Sequence, residues 1–213
     1  MIHTLDEATT FATASSIFGS RETNLQEAMG ESEEFTQKFF GKSVSLKKSF
    51  LFPVELPFRQ CLVIYDPGLP VDDLVNKALL GQDIRSLRKP DHLMRVKSQA
   101  SLARPRVCVV ERSLTPLTST MGKPSEYLGK PTERFMNARD YIVAFGLNFH
   151  FRKTYWDMDT WTVFSDHIFP EGRMGYGTWF RAAERFGLGT AYPEACSHGR
   201  YGARLRITVP SKK

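Results

Sequence analysis

Glycine pairs followed by arginines near the C-terminus are the clearest chemical signal in the sequence. Gly187 and Gly189 flank a leucine, and after nine residues the run 199–202 (Gly-Arg-Tyr-Gly) leads into the basic segment 203–207. Glycine lets a backbone approach a phosphate closely and exposes its N–H groups, and arginine adds bidentate donors. The segment therefore predicts an anion-binding loop with these contacts: Gly187, Gly189, Gly199, Arg200, Gly202 and Arg204. The alternative is that the glycines only end a helix and turn the chain into a strand.

A second basic segment lies at 85–112, which contains eight cationic side chains and two acidic ones. Arginine and lysine interspersed with serine and glutamine suit contacts to phosphates, whose strength falls as salt rises. We expect Lys97, Arg104 and Arg106 to make such contacts. A solvated basic linker is the alternative interpretation.

The sequence contains few residues whose type and spacing indicate catalysis. His198 is a candidate for a general acid or base, and His150 or His167 could serve similarly. None has a partner at a fixed spacing. His150 and Arg152 would lie across a hairpin from Asp157 and Asp159, where charge pairing is the more expected outcome. Asp157, Asp159 and Asp166 together with His167 are of the residue types that bind metals, but their spacing matches no recognised ligand pattern. The sequence therefore predicts no metal and no cofactor, and it contains no Walker loop or dinucleotide fingerprint.

Net charge is distributed unevenly along the 213 residues. The whole chain carries +6, but residues 1–41 hold seven acids against two bases, so the remainder carries +11. A body this basic attracts nucleic acid or an acidic protein surface. No apolar run reaches the ~18 residues of a membrane helix, and no secretion signal is evident. We expect a cytoplasmic protein whose cysteines, including Cys61 and Cys108 in apolar runs, are reduced.

Hydrophobic periodicity predicts the elements that must position these residues. Spacing typical of helices occurs at 24–40, 70–81 and 178–187. Strand-like runs occur at 56–65, 106–112, 141–151, 156–164 and 203–209. The segment 141–151 alternates most regularly, and 156–164 is its expected hairpin partner. Because an apolar stripe of period two is typical of a core, we expect most aromatic residues there to be buried.

This order predicts an α+β fold with a ferredoxin-like (RRM-like) βαββαβ core, one extra strand and an N-terminal helical extension. A mixed α+β fold without that topology is the alternative. Residues 1–41 would form the acidic extension and residues 42–213 the basic domain.

A family resemblance follows from the C-terminal glycines. An apolar helix ending in Gly187-Leu188-Gly189, then small-x-Gly-x-x-Gly entering the last strand, resembles the glycine-rich loop of the repeat-associated RNA-binding superfamily of CRISPR systems. The resemblance covers about the last thirty residues. It departs from the usual pattern through the insertion at 192–196 and the lack of a dense Lys/Arg run. It implies a ferredoxin-like core whose loop contacts guide RNA.

These features together predict an RNA-binding subunit that holds the backbone of a single-stranded or guide RNA and assembles with other protein subunits. One alternative, also implied by the resemblance, is a metal-independent endoribonuclease in which a histidine such as His198 deprotonates a 2′-hydroxyl. Another is a structural or adaptor protein of a phage or mobile element, whose acidic helix docks on a protein partner.

Overall fold

The computed structural model describes residues 19–53, 56, 60–82, 84, 104–123, 135–168, 172–192, 194 and 199–212. This part of the chain is an α+β protein with four α-helices and two sheets. The helices are α1 (Gly19–Phe35), α2 (Leu46–Ser49), α3 (Val71–Ala78) and α4 (Ala138–Arg152). The strands are β1 (Cys61–Asp66), β2 (Arg106–Glu111), β3 (Trp161–Ile168), β4 (Met174–Phe180), β5 (Arg185–Ala191), β6 (Tyr201–Gly202) and β7 (Arg206–Val209).

The first sheet is antiparallel, in the order β1-β2-β7, and is covered on both faces. One face packs on α1 through Leu25, Ala28, Met29, Val63, Val107 and Val109. The other packs on α3 and α4 through Leu62, Ile64, Cys108, Val110, Leu74 and Ile142. Strands buried on both faces read as continuous apolar runs, which is why β1 and β2 were predictable.

The second sheet is mixed, in the order β5-β4-β3-β6, with only the β3–β6 pair parallel. Its inner face packs on α4 through Phe164, Trp179 and Phe186, which lie in one core with Tyr141 and Phe145. The opposite side, called the outer face below, forms a separate small cluster around Val163 and Met174. Helix α4 therefore lies between the two sheets.

The predicted strand at 141–151 is wrong, because this segment belongs to α4. Its N-terminus is fixed by a capping box in which the Asn137 side chain accepts from the Asp140 N–H and the Asp140 side chain accepts from the Asn137 N–H. A helix that is buried between two sheets is apolar on all sides and shows no helical stripe. Gly146 allows the close crossing of α3, since a Cβ there would collide with the Ala78 carbonyl.

The predicted helix at 178–187 is also wrong. This segment is a β4–β5 hairpin whose connection is a 3₁₀ turn at Arg181–Ala183 followed by Glu184 at φ 48°. Strand β4 is also the partner of β3, so the predicted hairpin between 141–151 and 156–164 does not form. The ferredoxin-like topology is not shown by these two sheets.

The other predicted elements are confirmed in type but with shifted bounds, since the strands predicted at 56–65, 106–112, 156–164 and 203–209 correspond to β1, β2, β3 and β7. Helix α1 continues as a π-helical turn, Thr36–Phe40, and ends at Gly41, whose φ is 65°. Helix α3 follows Pro70, as its fixed φ favours. Residues 1–18 of the predicted extension lie outside the described residues. None of the helices in the described ranges is long and apolar enough to cross a membrane.

Candidate nucleic-acid interface

The predicted basic segment at 85–112 is described only from residue 104 onward, so Lys97 lies outside the described residues. The catalytic candidate His198 also lies outside them. Arg104 is exposed just before β2. Arg106 is the first residue of β2, and its side chain is only 20% exposed because it points into a carboxylate cluster.

This cluster lies at the N-terminus of α4. Asp66 accepts two hydrogen bonds of 2.6 Å from Arg139, and its carboxylate lies 3.5 Å from Arg106 Nε. Asp140 accepts from Arg106 at 2.8 Å and from Arg206 at 2.5 Å. Both carboxylates are almost fully buried. Buried charges need partners of opposite sign, so the charge of Arg106 is used within the fold.

Arg204 is committed to a second buried centre. Its side chain is 2% exposed and lies against Asp157, which is 0% exposed, with a 2.8 Å bond from Nη2 to Oδ1. Nε donates to Thr162 Oγ1 at 2.9 Å and Nη1 donates to the Ser113 carbonyl at 2.7 Å. The guanidinium carbon also lies 4.2 Å from the centroid of the Trp156 ring. Arg204 therefore does not reach the protein surface.

Asp157 is the acceptor that joins the elements around this centre. The Tyr141 hydroxyl of α4 donates to Oδ2 at 2.8 Å, and the Thr162 hydroxyl of β3 donates to the same oxygen at 2.6 Å. Its backbone carbonyl accepts from the Thr178 hydroxyl of β4 at 2.8 Å. Burial, and secondarily the Asp157 charge, raise the pKa of Tyr141 well above its ordinary value, so the phenol stays a donor. We call this group of residues the Asp157–Arg204 centre.

Gly187 and Gly189 lie inside β5 and not in a loop after a helix. The helix that carried the family resemblance is therefore absent at this position. A Cβ at Gly187 would collide with the Phe180 ring, and a Cβ at Gly189 would lie 2.5 Å from Tyr176 Cζ. Each glycine thus makes room for an aromatic ring that crosses from β4, a known use of glycine in edge strands.

Gly202 and Gly199 differ in how much space surrounds them. A Cβ at Gly202 would lie 2.6 Å from the Met121 sulfur and 2.8 Å from Pro116 Cβ, so this glycine is needed for packing. Gly199 has ordinary space around it, with nothing within 4 Å of a built Cβ. Of the predicted glycine set, Gly199 is the one that lies on exposed backbone.

Next to Gly199, the outer face carries a set of stacked aromatic rings. The parallel pairing of β3 with β6 places Trp161 opposite Tyr201, and their rings stack with centroids 4.7 Å apart at 19°. The ring of Tyr176 meets Tyr201 edge-on at 5.7 Å. The exposed Arg200 places its guanidinium carbon 5.9 Å from the Trp161 centroid. All three rings are partly exposed.

The outer face continues along β4 and β5. Phe180 pairs directly with Arg185, so both side chains lie on this face, and both are partly exposed. The face thus combines four aromatic side chains with two arginines: Trp161, Tyr176, Phe180, Tyr201, Arg185 and Arg200. Sequence reasoning assigned the aromatic residues of 149–164 mainly to the core, which holds for Trp156 and Phe164 but not for Trp161.

His150 is the one histidine among the described side chains. His150 lies on α4, where its ring meets Phe39 at 5.1 Å and Phe151 at 4.7 Å. The predicted pairing of His150 and Arg152 with Asp157 and Asp159 is wrong, because Arg152 bonds to acids of α1 and Asp157 bonds to Arg204. His167 belongs to β3. Among the described residues no group of three acids, histidines or cysteines is placed to hold a metal ion.

Comparison of the chain with protein-family models, with curated proteins and with solved structures gave no match. The outer face was missed at the sequence level, although a signal was present. In the run Met-Gly-Tyr-Gly-Thr-Trp-Phe at 174–180, large and small residues alternate over 174–177, and two aromatic residues, which strands favour, follow at 179 and 180.

Proposed function

We propose that the protein binds single-stranded RNA on the outer face of its second sheet. The observation that carries the proposal is the stacked pair of Trp161 and Tyr201 with the guanidinium of Arg200 above the indole. Single-stranded nucleic acids are held by aromatic rings on a sheet, on which bases stack, together with cations that contact the backbone.

The choice of a single strand over a duplex follows from the side chains. A base can stack on an indole or phenol ring only when it is unpaired and turned out of a helix. The stacked rings remain partly exposed, while the other face of the same sheet packs on helix α4. Arg200 then supplies a donor for a phosphate or a planar cation for a neighbouring base.

The net charge supports a polyanionic partner. Residues 42–213 carry +11, while Arg106, Arg139, Arg204 and Arg206 are neutralised inside the fold. Exposed cations such as Arg200 and Arg104 therefore remain for long-range attraction of nucleic acid. A role as a subunit that holds a guide RNA in a larger ribonucleoprotein is the specific form of this proposal.

The proposal is tested by binding of fluorescein-labelled single-stranded RNA at several salt concentrations. Trp161→Leu should weaken binding by ~1–3 kcal/mol, the usual contribution of one stacked base. Arg200→Gln should weaken binding and reduce the salt dependence by the share of one phosphate contact, a slope change of about 0.7.

The matched control is Lys48→Gln, which removes one exposed positive charge from α2, beside the first sheet. It should change affinity much less than Arg200→Gln. Equal effects of the two substitutions, or full affinity in Trp161→Leu, would show that RNA does not use the outer face. Tight binding of duplex over single strand would contradict the stacking argument.

A further inference from the structure

Strand β6, which carries Tyr201, is too short to hold its own position. It has two residues and two ladder pairs with β3, Trp161↔Tyr201 and Thr162↔Gly202. A one-residue slip would turn Tyr201 to the other side of the sheet, because side chains alternate between faces. Some other contact must therefore fix the register that stacks Tyr201 on Trp161.

Two buried groups provide this fixation. On one side, Arg204 follows β6 by two residues, and its Nε donates 2.9 Å to the hydroxyl of Thr162, the β3 residue paired with Gly202. On the other side, the Thr120 hydroxyl accepts from the Ala203 N–H at 2.9 Å and the Gly122 N–H donates to the Tyr201 carbonyl at 2.9 Å. Strand β6 is thereby clamped between β3 and the 116–122 segment.

We infer that the Asp157–Arg204 centre is the positioning element of the RNA-binding face: it sets the register of β6 and so holds Tyr201 stacked on Trp161. Arg204 and Thr162 do not touch the nucleic acid. They act because a rotated or shifted Tyr201 would offer no flat surface to a base. Only the binding consequence of this inference rests on the proposed function, since the ring geometry can be measured without RNA.

The guanidinium fork is what makes arginine necessary at this position. It donates in three directions at once, to Thr162, to Asp157 and to the Ser113 carbonyl. A lysine keeps the charge but is a point donor without that planar geometry. Arg204→Lys therefore separates the positioning role from the charge. Thr162→Val is the second variant, because it keeps the side-chain shape and removes the hydroxyl that links Arg204 to β3.

The test uses the full chain labelled with 5-fluorotryptophan. The chain has three tryptophans, Trp156, Trp161 and Trp179, and we expect each to give its own ¹⁹F resonance because their surroundings differ. Tyr201→Leu supplies the reference position of the Trp161 resonance without its stacking partner. In Arg204→Lys and Thr162→Val the Trp161 resonance should move toward that reference, while Trp179 in the α4 core stays in place. RNA affinity should fall by about tenfold, as for Tyr201→Leu itself.

If Arg204 and Thr162 had a purely structural role, their substitution would lower the melting temperature, but the Trp161 resonance would keep its position in spectra recorded well below that temperature. A folded Arg204→Lys or Thr162→Val protein with Trp161 at its wild-type position would therefore overturn the inference, and Thr162→Val decides the question if Arg204→Lys does not fold. If the resonance moves in a protein whose wild type binds no RNA, the proposed function is wrong and the positioning inference stands.

Discussion

The two sheets use similar residues for different purposes, and the difference follows from what covers them. The first sheet has helices on both faces, and Arg106, Arg139 and Arg206 around it are paired with buried carboxylates. Within the described part of the chain, the second sheet packs on a helix through one face, and its other face carries partly exposed rings and Arg200. The role of an arginine or a glycine in this protein therefore depends on the sheet and on the face of the sheet where the residue lies.

The largest effect should come from breaking a charge pair of the first sheet. Asp66→Ala leaves Arg139, which is 6% exposed, without the carboxylate to which it donates two hydrogen bonds. Loss of one partner of a buried pair costs about 3–5 kcal/mol, because the remaining charge stays desolvated. Urea denaturation should show a decrease of that size in the free energy of unfolding.

Asp159→Ala is the control for this prediction, since the pair of Asp159 with Arg181 is more than 60% exposed on both sides. Exposed pairs contribute about 0–1 kcal/mol. Similar losses of stability in the two variants would mean that the first sheet is no more dependent on its charges than the surface is. RNA affinity of folded Asp66→Ala protein should be unchanged.

Local elements of the first sheet were predictable because their signals are local. Pro70 precedes α3, Gly41 ends the N-terminal helix, and continuous apolar runs give β1 and β2. Helix α4 was not predictable from periodicity, because burial between two sheets removes the polar side that makes a helix recognisable. The capping box of Asn137 and Asp140 was the remaining local signal for its start.

The candidate site was harder to predict, because its residues come from separate segments. The sequence places Arg200 and Arg204 four positions apart as if equivalent, yet one is exposed and the other is 2% exposed. That difference is set by Asp157, which lies 47 residues away from Arg204. Trp161 and Tyr201 likewise meet only through the parallel β3–β6 pairing. The segment 124–134 and the predicted His198 lie outside the described residues.

Substitution of Gly189 and of Gly199 compares a crowded position with an open one, and the expected effect is smaller than that of Asp66→Ala. Gly189→Ala should push the Tyr176 ring off β5, since the added Cβ would lie 2.5 Å from the ring. Gly199→Ala meets nothing within 4 Å. Stability should change little in either protein, because alanine recovers about 0.5–1 kcal/mol of strand conformational entropy at position 189. RNA affinity should fall about fivefold in Gly189→Ala only. Equal affinities would exclude Tyr176 from the interface.

The smallest effect that we predict is a pH dependence of the folding stability that arises from His150 of α4. Burial, and then the positive charges of Lys38 and Lys153, lower the pKa of His150, while Glu34 opposes them. Its ring lies among Phe35, Phe39 and Phe151, which solvate an imidazolium poorly.

The sign of the effect follows from proton binding. Because the pKa is lower in the folded state than the ordinary value of ~6.5, the unfolded chain binds more protons below that pH. The stabilisation from neutral His150 is therefore present above pH ~6.5 and is lost as the pH falls through the lower, folded pKa. Urea midpoints measured at pH 7.5 and pH 5.5 should differ more for the wild type than for His150→Gln, which cannot titrate. The carboxylates common to both proteins cancel in this difference. If the two proteins lose the same stability on acidification, the phenylalanine surroundings do not penalise the charged imidazole. If His150→Gln also leaves RNA affinity unchanged at both pH values, the surroundings of His150 lie outside the RNA interface, as binding on the outer face of the second sheet predicts.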